Sequence, residues 1–152
     1  MDTNDTTKKM LATLNDLIET CKDGETGFHT AAEGLTDSTV KATFARFSRE
    51  RGQMARELQD EVKGLGGTPE TSGSTSAAMH RGWINIKSAV TGKDDKAIIA
   101  EAERGEDIAK AAYEGALKAS LPAQVRALVE RQAAAVRAAH DHVRSLEKTV
   151  AR

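Results

Sequence analysis

Cysteine, proline and aromatic residues are all scarce in this sequence, and each scarcity removes a class of protein. There is one cysteine, Cys21, in 152 residues. It cannot pair within the chain, so a disulfide scaffold is excluded, and a reduced, cytoplasmic setting is the expectation. The two prolines, Pro69 and Pro122, leave long stretches free of helix breakers. Three Phe, one Trp and one Tyr make up the aromatic set, so a core must rest on Leu, Val, Ile and Ala. Charge of one sign is missing too: 22 basic and 23 acidic residues give a net charge of -1. A protein that grips nucleic acid usually carries a basic excess, and no nucleic-acid partner is expected. No uncharged apolar run approaches the ~20 residues of a membrane span, so no membrane partner is expected either. Met1 to Lys9 is polar and lacks the apolar stretch of a secretory leader.

What the sequence does have is helical periodicity. Leu11, Leu14, Ile18, Cys21, Phe28, Ala32 and Leu35 recur at steps of three and four, or their sum, which draws one stripe along a helix. This spacing predicts a first helix over Thr7–Leu35, preceded by a frayed tail at 1–6. Gly24, Gly27 and Gly34 lie inside it, each costing ~1 kcal/mol against alanine. Thr36-Asp37-Ser38-Thr39 supplies N-cap residues for a second helix over Val40–Leu65. Gly66–Ser76 reads as a flexible polar loop, and Met79, Trp83, Ile86 and Val90 predict a short helix over Ala77–Val90. Further stripes predict long helices over Asp95–Ser120 and Pro122–Val150. The length suits one domain. Four long helices with a long connection between the second and third predict an all-α, ferritin-like four-helix bundle with a short extra helix in that connection. An up-down-up-down arrangement with a helical excursion is the alternative.

Each long stripe contains one polar residue: Glu25, Arg51, Glu106 and Gln132. At 1.5 Å per residue, these fall roughly 17 to 27 Å from the helix ends, all near mid-height. Buried charges must be paired. The expected arrangement is a polar layer in which Arg51 bridges Glu25 and Glu106 while Gln132 donates to a remaining carboxylate oxygen. The alternative is a metal centre. Di-iron bundles place a Glu on each of two helices and a Glu-x-x-His on each of the other two. No Glu in this chain has His three residues later. A non-standard iron or zinc site would have to use Glu25, His29, Glu106 and His140. Without it, no cofactor is called for.

Five stretches, taken together, resemble a bacterial family of ferritin-like four-helix-bundle proteins of unassigned function. They are Leu14-Asn15-Asp16-Leu17-Ile18-Glu19 with Asp23-Gly24, Leu65-Gly66-Gly67-Thr68-Pro69 with Ser72-Gly73-Ser74, His80-Arg81-Gly82-Trp83, Glu103-Arg104-Gly105-Glu106-Asp107, and His140-Asp141. The resemblance implies a bundle related to ferritins and brings no activity, substrate or ligand set with it. The absence of a nucleophile–base pair, a phosphate loop or a metal motif points away from an enzyme. The expected role is non-enzymatic, stress-associated or protein-interacting, with a divergent metal-binding protein as the alternative. DNA protection by a ferritin-type cage would have only Lys8-Lys9 behind it. Trp83, His80 and Arg81 form the candidate surface for an unknown protein partner; the simpler reading of Trp83 is that it covers one end of the core. Ile84, Ile98 and Leu117 lie off the main stripes and would, if exposed together, support a homodimer.

Overall fold

A computed structural model describes residues 3–73 and 83–150. The elements are α1 (Thr3–Gly34), α2 (Ser38–Gly64), α3 (Ile86–Thr91), α4 (Asp95–Leu117) and α5 (Ala123–Val150). Among the described residues there is no strand. Helix α1 starts four residues before the expected Thr7, so residues 3–6 extend it. Nothing between Thr3 and Thr7 breaks a helix, and Asp5 in the first turn complements its dipole. The other boundaries follow local chemistry. Asp37 caps α2 by accepting from the N–H groups of Thr39 and Val40 at 2.9 and 3.0 Å. Asp94 caps α4 by accepting from Lys96 N–H at 3.0 Å. At the far end of α2, Gly66 takes φ +84°, and the next N–H, of Gly67, donates back to Val62 O at 2.9 Å. Only glycine adopts that conformation cheaply, and it stops the helix.

Three contacts decide the directions of the helices. The Asp95 carboxylate accepts from Thr36 N–H, Thr36 Oγ1 and Asp37 N–H at 2.9, 2.9 and 3.0 Å. The start of α4 therefore lies beside the end of α1, and these two helices run antiparallel. Arg131 on α5 reaches Glu57 on α2 at 3.3 Å, while Phe47 and His142 meet edge to face at 5.9 Å. Helices α2 and α5 are thus antiparallel as well, and the connection after α2 carries the chain back along the molecule. This selects the crossover arrangement of the two that the periodicity allowed.

The expected short helix is shorter where it is described: Trp83–Asn85 form a turn and α3 begins at Ile86, while residues 77–82 lie outside the described residues. Of the expected flexible loop, residues 66–73 are described, and they are anchored. Asn15 donates to Thr68 O at 3.2 Å and accepts from Glu70 N–H at 2.9 Å, and Gln59 donates to Glu70 O at 2.8 Å.

The glycines inside α1 have a purpose that periodicity does not show. A Cβ at Gly24 would come within 2.9 Å of Arg51 Nη1, and one at Gly34 within 2.6 Å of Val90 Cγ1. A Cβ at Gly27 would overlap the Trp83 indole, and so would one at Gly105 on α4. Trp83 therefore sits in a notch between two helices, 9% exposed, with its ring 5.0 Å from Phe28 at 67°. It belongs to an upper core with Phe28, Phe44, Phe47, Ile98 and Val143. A lower core holds Leu14, Ile18, Leu58, Tyr113 and Val129. Ile98 is fully buried and Leu117 packs against the lower core, so the surface patch expected of Ile84, Ile98 and Leu117 does not form. Lying off the main stripe does not expose Ile98 or Leu117, because α4 packs against both α1 and α5. Ile84 stays 60% exposed.

Filling a notch should cost stability and filling open space should add it. Gly27→Ala is expected to destabilise by ~1–3 kcal/mol through overpacking. Gly115→Ala, with nothing within 4 Å, is expected to stabilise by ~1 kcal/mol. Urea midpoints that move in the same direction for both would refute the notch. The Asp95 clamp should depend on pH. Burial alone would raise its carboxyl, but the three hydrogen bonds outweigh it and hold it below the ordinary range. A lowered folded value means stabilisation that is present above the unfolded value, about 3.9, and is lost as pH falls through the folded one. The stability gap between wild type and Asp95→Asn should be constant near neutrality and narrow below about pH 4.

Candidate functional site

The interior at mid-height is built around Gly24. Along α1 the inward line runs Cys21, Gly24, Phe28, and glycine leaves a gap one side chain deep. Arg51 on α2 fills it. Its guanidinium passes over Gly24, lies 5.5 Å from the Phe28 ring centre, and donates from Nη2 to Glu106 Oε2 on α4 at 2.6 Å. Arg51 is 3% exposed and Glu106 is fully buried. Burial alone would lower the Arg51 pKa, but the adjacent Glu106 carboxylate overrides it and holds the guanidinium above its ordinary value. The other carboxylate oxygen, Glu106 Oε1, has no hydrogen-bond partner among the described residues.

Beside this pair runs a neutral relay. Cys21 Sγ lies 3.1 Å from Tyr113 OH, and the phenol donates to Gln132 Oε1 at 2.7 Å. The Gln132 amide donates to Met54 O at 3.1 Å and to Glu57 Oε1 at 3.0 Å, and Glu57 meets Arg131 at the surface. With the Tyr113 proton committed to Gln132, the thiol is left to donate to the phenol oxygen. Burial pushes the Cys21 thiol up to about 11, against smaller opposing effects of the Tyr113 hydrogen bond and the Arg51 charge. Burial, reinforced by Cys21, likewise holds Tyr113 well above its usual value. Both groups are protonated at neutral pH. A protonated buried thiol is a hydrogen-bond donor and not a nucleophile.

Of the four residues expected in one layer, Arg51, Glu106 and Gln132 are buried, but only Arg51 and Glu106 bond to each other. Glu25 lies outside. Its side chain is 33% exposed, pairs with Lys22 at 3.4 Å and lies over Gly52 on α2. Stepping from Cys21 to Glu25 takes the helix one residue, or ~100°, past the inward position, which belongs to Gly24. The four residues expected of a metal centre are not brought together either. His29 is exposed and pairs with Glu33 at 3.3 Å. His140 is buried, with Nε2 2.7 Å from Asp107 and Nδ1 3.2 Å from Asp141. Among the described residues no group of three or more His, Cys, Asp or Glu is placed to hold a metal ion.

Of the expected partner surface, His80 and Arg81 lie outside the described residues, and the Trp83 ring faces the core. A cavity of about 520 Å³ opens beside it, lined among others by Thr26, Thr30, Ser72, Ile84 and Lys87. Cys21, Tyr113 and Glu57 were not singled out as polar partners from the sequence. The one available signal was Tyr113 itself, since a buried phenol usually finds a partner for its hydroxyl.

The model of the family described as "Domain of unknown function (DUF2383)" matches residues 9–119. That range takes in most of α1 and all of α2 to α4, with Cys21, Arg51, Glu106 and Tyr113, and stops before Gln132. No curated protein matches the chain.

Arg51→Ala strands a fully buried carboxylate and is expected to destabilise by ~3–5 kcal/mol. Arg51→Met with Glu106→Leu removes both charges and should cost much less. Thermal melts in which the double variant is as damaged as the single one would show that the pair is not charge-coupled.

Proposed function

Because the chain belongs to the DUF2383 family, whose function is unknown, its role must come from its own residues, and we propose a non-enzymatic, ferritin-like four-helix bundle. One observation carries this reading: the Arg51 guanidinium rests on Glu106 at 2.6 Å in the middle of the helices. Bundles of this class with metal chemistry converge several carboxylates there. Here a permanent cation takes that position, and its removal would leave Glu106 unpaired. The neighbouring thiol and phenol are protonated and bonded to one another, so no activated nucleophile or base accompanies the pair. A buried, unreactive Cys21 is in keeping with a reducing, cytoplasmic location. On this reading the interior fixes helix register, and the protein acts through its surface as a protein-interacting, stress-associated bundle. The exposed Ile84 and the cavity beside Trp83 are the part of that surface most suited to a protein partner.

A divergent metal protein is the second reading, favoured by one observation: Glu106 Oε1 is buried and unpartnered among the described residues. Elemental analysis of untagged protein, before and after incubation with iron or zinc, separates the two. The expected result is metal far below one atom per chain, unchanged in Glu106→Gln. Stoichiometric iron or zinc that disappears in that variant would establish the metal reading.

A further inference from the structure

The segment Trp83–Thr91 is attached to the rest of the molecule in an unusual way. Its described hydrogen bonds are internal: Ile86 N–H to Trp83 O, Ala89 N–H to Asn85 O, Thr91 Oγ1 to Lys87 O. What holds it is shape. The Trp83 indole enters the notch made by Gly27 on α1 and Gly105 on α4, and Val90 rests on Gly34 of α1. A helix of six residues is too short to persist by itself, so α3 depends on these contacts.

On the α4 side of the notch, one turn before Gly105, lies Glu101. It is 5% exposed; one carboxylate oxygen is taken by Arg104 and the other, Oε2, has no hydrogen-bond partner among the described residues. A buried carboxylate oxygen without a donor is stabilised by contact with water. Glu101 lies between Ile98 and Gly105 along α4, and Gly105 is where the Trp83 indole rests. Lifting the segment from α4 is the change that would hydrate it.

We propose that Trp83–Thr91 is a clasp that docks on and releases from the seam between α1 and α4, with indole insertion favouring the docked state and the unsatisfied Glu101 carboxylate favouring release. The four long helices also pack directly on one another, α1 on α2 and α4, and α4 on α5, and those contacts do not pass through the clasp. Release uncovers the two-glycine notch, the edge of Phe28 and a carboxylate in need of a donor. This inference does not rest on whether the interior binds metal.

Amide hydrogen exchange on the full chain, read together with emission and acrylamide quenching of the sole tryptophan, tests the clasp. In wild type, residues 86–91 should exchange through a local opening insensitive to low denaturant, while α1 and α2 follow global unfolding. Glu101→Met keeps the bulk and removes the orphaned oxygen. It should slow exchange at 86–91 by at least about fivefold, the lower end of what one unsatisfied buried group is worth. Gly105→Ala closes the notch and should speed exchange there and shift Trp83 emission to the red, with helix content retained. Exchange at 86–91 that tracks α1 and α2 in wild type would overturn the proposal without any variant. So would a Glu101→Met protein whose clasp exchanges as fast as wild type.

Discussion

A guanidinium and a carboxylate buried together must be satisfied by one another, and much of this molecule is arranged around that demand. Arg51 reaches Glu106 only because Gly24 leaves room for it to pass. The same close approach lets Ser48 donate to the Glu25 carbonyl at 2.7 Å, tying α2 to α1 at that level. Glu25 is thereby turned to the rim, over Gly52. The ion pair joins α2 to α4, which are not neighbours in sequence, and the Tyr113–Gln132 bond beside it joins α4 to α5. Two short bonds thus set the relative height of three helices. A shift of one turn in any of them would leave a charge or an amide unpaired in the interior, at several kcal/mol.

Glycine has a second use in holding the long connection down. Without side chains at Gly27, Gly34 and Gly105, the seam between α1 and α4 has recesses into which Trp83 and Val90 fit. At the top, Asp95 clamps the turn between α1 and α2. At the bottom, Asn15 and Gln59 hold residues 68–70. The return path is therefore fixed at its ends by hydrogen bonds, while the described contacts of residues 83–91 with the long helices are contacts of shape. That difference is why its later part, rather than its start, is the candidate for local opening.

For function, what matters is how the polar interior is composed. Several buried polar groups are bonded to one another: Arg51 meets Glu106, Cys21 meets Tyr113, and His140 meets Asp107. Such pairing suits a scaffold that must not slip in register. On the proposed reading, a protein partner would bind at the surface, and the seam near Trp83 is the part of it most suited to one.

Periodicity alone determined much of this: the number of long helices, their approximate ends, the burial of Arg51, Glu106 and Gln132, and the long connection. These are local quantities, set by a 3.6-residue repeat and by capping chemistry that the chain carries wherever it goes. Tertiary structure alone decided which polar residues meet. Glu25 and Gly24 are neighbours in sequence, but one faces solvent and the other the core, and an apolar-stripe reading passes over a glycine because it has no side chain to count. That Gly24 matters becomes visible only when Arg51 arrives from another helix to fill its space. The crossover topology was likewise decided by Asp95 meeting Thr36, a contact between residues 59 apart. Volume complementarity and long-range pairing belong to two segments at once, and no single stretch of sequence contains them.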